Sequence, residues 1–218
     1  YARAWKNLDY LRVFTNTLIV TLIGNAGLIS FGSMAGYWLM RHPLKINKFF
    51  YMLFIASMAI PFEAVMIPLM RVTTTVSMTG SLPGLGIGYW GLGASTCIFL
   101  VYGAMMNIPY ELEEAATIDG ASGEQIFFNV KLPLLIPSIT TCVVTNLING
   151  LKLYEMVIGL TGGGPNRETM SLSQYIQILY FDDEKAGYAS AVGIFMFLLI
   201  MLIALPINNY LRSREVYS

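Results

Sequence analysis

Three carboxylates lie close together near the middle of the chain, between two apolar stretches. Glu111, Glu113 and Glu114 follow Pro109, a residue suited to the first position of a helix because its missing N–H is not needed there. The helix dipole stabilises negative charge in that first turn. The plain interpretation is an acidic surface helix. Gly120 predicts its end, since glycine readily adopts the left-handed conformation of a helix C-terminus.

A second short helix is predicted directly after the first. Ser122 and Gln125 have the spacing of a capping box, in which the two side chains bond to backbone N–H groups at the helix start. Leu132 and Pro133 then lead into apolar sequence. The stretch 111–131 therefore predicts two short helices joined by a Gly-Ala-Ser turn at a membrane surface.

A glycine-rich run, GLTGGGPNRET at 159–169, is the second candidate site. Glycine-rich loops can bind phosphate, but the P-loop pattern requires a Gly-Lys pair and the chain contains none. Any ATP hydrolysis would therefore need another subunit. Three glycines and a proline predict a flexible turn that can reach into a partner, and a plain turn between helices is the alternative.

The remaining reactive side chains form no catalytic pattern. His42 lies between Arg41 and Pro43 in a basic loop, which is typical of a surface residue. Cys97 and Cys142 lie in apolar runs, and we expect small buried side chains there without a disulfide or metal framework. The sequence predicts no catalytic and no metal-binding residue in this chain.

The composition places the chain in a membrane. Hydrophobic residues make up 56% of the sequence and charged residues 12%, whereas about a quarter of the residues are charged in a typical soluble domain. The formal net charge is zero, so nothing indicates nucleic acid or an acidic substrate as a partner.

Apolar runs of about twenty residues predict helices that cross a bilayer. The predicted spans, the second of which starts near Phe49 and runs toward Pro61, are 13–40, 49–61, 89–108, 133–151 and 188–210. The stretch 71–88 is rich in Thr, Ser, Gly and Pro and predicts an irregular loop. The fold class is an all-α membrane protein, a polytopic helical bundle with five transmembrane helices visible.

Two features of the first spans bear on packing and function. Gly32 and Gly36 form a G-x-x-x-G pair, which lets helices approach closely, although such glycines also occur without a partner.

Glu63 lies between Pro61 and Pro68. A carboxylate at mid-bilayer would indicate a functional site. A helix break at Pro61 would instead place Glu63 at the membrane interface, and the flanking prolines favour the interface.

The fourth predicted span carries several polar residues, among them Thr140, Thr145, Asn146 and Asn149. Polar side chains at this depth usually face a bundle interior or an aqueous path. Asn146 and Asn149 are therefore candidates for lining a transport pathway, and hydrogen bonding between helices is the equal alternative.

The stretch 111–133 resembles the "EAA" loop of bacterial ABC importer permeases. That pattern is Glu-Ala-Ala, three residues, Gly, nine residues, an aliphatic residue, one residue and Leu-Pro. The chain fills it with Glu114, Ala115, Ala116, Gly120, Val130, Leu132 and Pro133, and Asp119 precedes the glycine as it usually does. The resemblance implies that this loop couples the permease to a separate ATPase subunit, through Glu114, Ala115, Ala116, Asp119, Gly120, Leu132 and Pro133.

The stretch LTGGGP at 160–165 resembles the loop before the last helix in carbohydrate permeases. In maltose-type importers the matching loop of one permease enters the sugar cleft of the docked binding protein. The resemblance therefore implies binding-protein contacts by Thr161, Gly162, Gly163, Gly164 and Pro165. The segment 61–69 is similar to the second permease of these systems, whereas LTGGGP is commoner in the first.

The resemblance to carbohydrate permeases extends over nearly the whole chain. It implies one transmembrane permease domain at 1–218, with a cytoplasmic coupling loop at 111–131 and an extracytoplasmic loop at 152–187. The chain opens with Tyr rather than Met and its N-terminus would lie outside, so a first helix is expected to be missing. The resemblance implies six helices in the full subunit.

The same resemblance implies a multi-pass protein of the cytoplasmic (inner) membrane that imports a sugar by alternating access. Its implied partners are a second permease, two ATPase subunits and an extracytoplasmic solute-binding protein. ATP and Mg would belong to the ATPase subunits, with no cofactor in this chain and no nucleic acid bound.

Two other classes of protein remain as alternatives. An ion-coupled secondary transporter would need ionisable residues within the membrane, and Glu63 is the one candidate. An intramembrane enzyme would need a catalytic constellation, and the predicted spans contain no Ser/His/Asp, paired-Asp or His cluster.

Overall fold

The computed structural model describes residues 10–215. Within that range the ordered elements are α-helices and three short π-helical turns, as the predicted all-α class requires. In chain order they are α1 (Tyr10–Gly27), π1 (Leu28–Gly32), α2 (Ser33–Arg41), α3 (Lys45–Ser57), α4 (Phe62–Thr75), α5 (Leu82–Met106), α6 (Glu111–Ile118), α7 (Gly123–Ile126), π2 (Phe127–Lys131), α8 (Leu132–Leu151), α9 (Glu155–Thr161), α10 (Leu172–Gln177), π3 (Ile178–Asp182) and α11 (Ala186–Arg212).

Four continuous helical segments of the described chain are long and apolar enough to cross a membrane. They are Leu11–Arg41, Leu82–Met106, Gly123–Leu151 and Ala186–Arg212. The predicted second span differs, because α3 has 13 residues, or about 20 Å at 1.5 Å per residue. It becomes a fifth span only together with α4, from which it is bent by 110°.

The bend between α3 and α4 occurs where the prolines predicted a break. Pro61 is extended, with φ −67° and ψ 148°, and it is the residue immediately before the first turn of α4. Glu63 lies in that turn, where the helix dipole stabilises a carboxylate, and its side chain is exposed.

The irregular loop predicted at 71–88 is wrong at both ends. Helix α4 continues to Thr75, and the hydroxyls of Thr73, Thr74 and Thr75 donate to backbone carbonyls three or four residues earlier within it. Helix α5 already begins at Leu82, where the Ser81 hydroxyl accepts from the backbone N–H of Gly84 at 3.1 Å. The polar composition of this stretch predicted a loop, but its hydroxyl groups form hydrogen bonds with the backbone of α4 and of α5.

The described residues divide into two compact units, of which the first comprises Ile60–Gly93, Thr145–Ala204 and the described residues before Leu28. Its core includes the buried side chains of Val13, Leu172, Tyr175 and Val192. Leu172 and Tyr175 belong to α10, inside the segment that was expected to be an extracytoplasmic loop. That segment therefore folds into short helices with a buried apolar face.

The second unit comprises Leu28–Ala59, Ala94–Val144 and the described residues from Leu205 onward. Gly32 and Gly36 bring two helices together within it. A Cβ atom built on Gly32 would lie 2.8 Å from the Cys97 sulfur, and one on Gly36 would lie 3.0 Å from Val101 Cβ. These distances leave no room for a side chain, so the G-x-x-x-G pair is a packing contact, as in other membrane helices.

Candidate functional site

The turn between α6 and α7 has the conformation that the sequence predicted. Gly120 has φ +82°, in the left-handed region. Its N–H donates to the Thr117 carbonyl, and the Ala121 N–H donates to the Ala116 carbonyl, both at 3.0 Å. These bonds satisfy carbonyls at the end of α6 and turn the chain sharply.

Helix α7 begins with the predicted capping box. The Gln125 N–H donates to the Ser122 hydroxyl at 3.3 Å, and the Ser122 N–H donates to the Gln125 side-chain oxygen at 2.8 Å. The start of α6 differs slightly from the prediction, since the helix begins at Glu111 rather than at Pro109. Pro109 still takes part, because its carbonyl accepts from the Leu112 N–H at 3.4 Å.

Glu113 is the carboxylate that faces inward from α6. Its Oε2 lies 2.7 Å from Lys131 Nζ, and its Oε1 forms an ion pair with the Arg41 guanidinium. The three side chains are only 10–13% exposed. Lys131 Nζ also donates to the Tyr37 hydroxyl at 2.7 Å. These four residues, which we term the Glu113 cluster, link α6 to α2 and to the π2 turn that leads into α8.

Sequence reasoning singled out Glu114 and missed the Glu113 cluster. One sequence feature could have revealed the cluster: Arg41 and Lys131 are cations at the ends of apolar spans. A cation in that position needs a nearby counter-charge when it leaves water, because an unpaired buried charge is costly. Glu113, which forms ion pairs with both cations, lies in a third segment of the chain.

The outer face of α6 and α7 is exposed and partly apolar. Glu114, Ala115, Asp119 and Gly120 are exposed, and Ala116 is half-buried. Ile118, between them, is 85% exposed.

A cleft of about 480 Å³ lies beside these residues, lined in part by Tyr110, Glu114, Thr117 and Ile118. Leu132 and Pro133 are half-buried at the start of α8. The predicted coupling residues thus lie in one loop, except for Leu132 and Pro133, which are the first two residues of α8.

The glycine-rich loop is fixed by hydrogen bonds at both ends. Gly162 and Gly163 have φ +60° and +83°. The Gln174 side-chain amide donates to the Gly162 carbonyl at 2.9 Å. The Thr169 hydroxyl lies 2.7 Å from the Gly164 carbonyl and from the Thr161 hydroxyl. Side chains of α10 and of the loop itself therefore bond to the backbone of the predicted turn.

The exposed part of this loop includes two of the predicted contact residues, Gly162 and Pro165, and continues to Glu168. Gly162 and the residues 165–168 are exposed, Thr161 and Gly164 are half-buried, and Gly163 is buried. Arg167 and Glu168 connect the tip to α1, because Asn16 donates to the Arg167 carbonyl at 3.4 Å and Arg12 lies 3.5 Å from Glu168. Burial raises the pKa of the Tyr175 phenol on α10.

The two pathway candidates occupy different environments. Asn146 is 3% exposed, and its backbone carbonyl accepts a hydrogen bond from the Tyr89 hydroxyl at 2.9 Å. Asn149 is exposed. Helix α1 adds a buried polar row that was missed, with Thr17, Thr21 and Asn25 at a spacing of four residues. That i, i+4 spacing was visible in the sequence as one polar helix face.

Both cysteines are buried, as their apolar surroundings in the sequence predicted. Cys97 and Cys142 are both buried free thiols. His42 stacks on Trp38, with 3.7 Å between ring centroids. Among residues 10–215 no group of His, Cys, Asp and Glu could hold a metal ion.

Comparison with known proteins gives one family and a set of sugar-related relatives. The model of the family "binding-protein-dependent transport system inner membrane component" matches residues 28–216. The chain is 39% identical over 165 residues to the probable starch degradation products transport system permease AmyC of Thermoanaerobacterium thermosulfurigenes, covering 74% of this chain and 60% of the relative. It is 35% identical over 147 residues to the melibiose/raffinose/stachyose import permease MelC of Bacillus subtilis, covering 66% and 53%.

The fold is also that of solved transporters. An inward-facing structure of the MetNI methionine ABC transporter superposes with a TM-score of 0.76 at 20% identity, covering 95% of this chain and 96% of that one. A bacterial ABC transporter for import of the polysaccharide alginate superposes with a TM-score of 0.77 at 21% identity, covering 94% and 80%. The chain spans less than two thirds of the length of either AmyC or MelC.

Proposed function

The chain belongs to the family of inner membrane components of binding-protein-dependent transport systems, and on this premise we propose that it is a permease subunit of an ATP-driven sugar importer. The observation that carries the proposal is the shape of α6 and α7. Glu114, Ala115 and Gly120 are exposed on the outer face of this helix pair, while Glu113 on its inner face is paired with Arg41 and Lys131.

In this proposal α6 and α7 fit a cleft on a separate ATPase subunit. Ile118 supplies an apolar contact at the tip, and Glu114 meets a basic group of the partner. Movement of the ATPase then displaces α6, and the Glu113 cluster passes that displacement to α2 and α8. Substrate-loaded binding protein and ATP together shift the population between inward-facing and outward-facing states.

The proposed substrate is a carbohydrate. The names of AmyC and MelC specify starch degradation products and melibiose, raffinose or stachyose, and a third relative, MsmF of Streptococcus mutans, is named for multiple-sugar transport. Asn146 and Asn149 are proposed to line the pathway. Amide groups suit sugar hydroxyls because they both donate and accept hydrogen bonds.

The extracytoplasmic contact is proposed at the glycine-rich loop. The exposed residues from Pro165 to Glu168 would meet the solute-binding protein, and Thr161, Gly162, Gly163 and Gly164 would hold the loop in shape for that contact. The remaining proposed partners are a second permease and two ATPase subunits. ATP and Mg would bind to the ATPase subunits, since this chain lacks the P-loop pattern.

An ion-coupled transporter is the weaker alternative. It would require a carboxylate that titrates within the membrane during transport, whereas Glu63 lies in the first turn of α4, directly after the helix break at Pro61. The family match likewise supports the importer.

The proposal is tested by co-expression with the ATPase, the second permease and the binding protein. We expect the chain to purify with the ATPase and to give ATP-dependent sugar uptake in proteoliposomes, with hydrolysis stimulated by loaded binding protein. Sugar uptake by this chain alone, driven by a proton or sodium gradient, would contradict the importer assignment.

A further inference from the structure

A groove with a basic end and an apolar body lies between α3 and the last turns of α5. It encloses about 690 Å³, and its lining includes Lys45, Lys48, Phe49, Met52 and Met106. All of these residues belong to the second unit, so the groove is a feature of one compact part of the chain.

The lining residues of α3 are ordered by polarity along the helix. Lys45, Lys48, Phe49 and Met52 follow the spacing i, i+3, i+4 and i+7, which places them on one helix face. The two lysines lie in the first turn, and Met52 lies about 10 Å along the helix axis from Lys45. One face of α3 therefore changes from cationic to apolar over two turns.

The apolar body of the groove is open rather than filled by the protein. Phe49 is 57% exposed, Met52 is 65% exposed and Met106, from α5, is 63% exposed. The lining also includes Tyr51 and Tyr102, whose rings stack with 3.7 Å between centroids and 15° between the planes.

The basic end is also open. Lys45 and Lys48 are exposed, and neither has an ion-pair partner among the residues that the structure describes. The groove lining contains no carboxylate. The first turn of α3 has no side-chain cap, so the helix dipole adds to the positive potential there.

We propose that this groove binds an anionic phospholipid of the bilayer. Its phosphate lies between Lys45 and Lys48, and one acyl chain lies over Phe49, Met52 and Met106. A free phosphate would leave the apolar body uncovered, and a neutral lipid would leave two cations without a counter-charge. Basic pockets between membrane helices recognise anionic head groups by this combination of charge and apolar area.

The test is a titration of the purified complex in neutral detergent with phosphatidylglycerol, with bound lipid counted by native mass spectrometry. The variant is Lys45→Gln/Lys48→Gln, which changes two exposed residues and leaves packing unaltered. Each lysine near an anionic lipid contributes about a factor of five to affinity. The double variant should therefore bind phosphatidylglycerol about 25-fold more weakly.

Two matched variants make the test specific. Lys45→Arg/Lys48→Arg keeps both charges and should retain the lipid, and Arg212→Gln/Arg214→Gln removes two other cations and should leave binding unchanged. Equal retention of phosphatidylglycerol by the wild type and the Lys45→Gln/Lys48→Gln variant would overturn the proposal. So would a Met52→Cys variant that cross-links to the second permease in the assembled complex, since a protein would then cover the groove.

Discussion

The carboxylate of Glu113 lies 2.7 Å from the ammonium group of Lys131, so that α6 is paired with the segment leading into a membrane helix. Arg41, at the end of α2, meets the other oxygen of the same carboxylate. One side chain of the proposed coupling loop therefore contacts two membrane-crossing segments. The neighbouring Glu114 is exposed, because adjacent residues of a helix point about 100° apart.

Replacing Glu113 by Gln should damage both stability and coupling. The change leaves Arg41 and Lys131 mostly buried without their counter-charge, and breaking such a pair costs about 3 kcal/mol. We expect a lower melting temperature of the purified complex together with weaker stimulation of ATP hydrolysis by loaded binding protein. Glu111→Gln, in the same turn, is the control. Equal melting temperatures for the two variants would show that the Glu113 cluster does not contribute to the stability of the complex.

Replacing Glu114 by Ala should affect coupling more than stability. Its side chain is exposed and has no ion-pair partner among the described residues, so the free energy of unfolding should fall only by the helix-dipole contribution, less than about 1 kcal/mol. Loss of one exposed charge pair with the ATPase is expected to weaken its affinity for the permease by about fivefold or less. The measurement is the ATPase concentration needed for half-maximal assembly. A large fall in melting temperature would instead indicate a structural role.

Replacing Gly120 by Val should uncouple the complex. At φ +82° a side chain costs about 1–2 kcal/mol, and a β-branched one more. Apart from the two adjacent residues, no atom of the described chain lies within 4 Å of a Cβ built there, so the valine would project outward, toward the proposed partner. We expect the chain to insert normally while uptake and stimulated hydrolysis fall together. Gly120→Asn, which tolerates a left-handed conformation, should lose less. Normal uptake in Gly120→Val would remove the main support for the coupling loop.

Replacing Gly163 and Gly164 by Val should impair the extracytoplasmic loop. A Cβ on Gly163 would lie 2.5 Å from the Gln174 side-chain oxygen, and would displace the amide that bonds to the Gly162 carbonyl. We expect weaker uptake and weaker stimulation by binding protein, with assembly with the ATPase unchanged. Gly187→Ala is the control, because its surroundings are open. If the double variant matches that control in both assays, the loop is only a connector.

Replacing Glu63 by Gln should have little effect. The carboxylate is exposed in the first turn of α4, where the helix dipole contributes less than about 1 kcal/mol. Uptake by the variant, measured across pH, should follow the wild-type curve. A large loss that changes with pH would show that Glu63 titrates during transport.

The features that the sequence predicted well depend on neighbours in the chain. The Ser122–Gln125 capping box and the left-handed Gly120 need only residues within one or two turns. The Glu113 cluster joins three segments that are far apart in sequence, and single-sequence patterns do not specify such pairings. The stretch 71–88 was misread because its threonines bond within α4 instead of forming a loop.

The burial of both native thiols has a practical consequence for following the transport cycle. Cys97 is 0% exposed and Cys142 is 1% exposed, and thiols without solvent access react slowly with maleimides. A cysteine introduced at Asp182, an exposed residue outside the proposed ATPase contact, would therefore take up a spin label or fluorophore selectively within this chain. Distances from that position could then be recorded during ATP turnover without first removing either native cysteine.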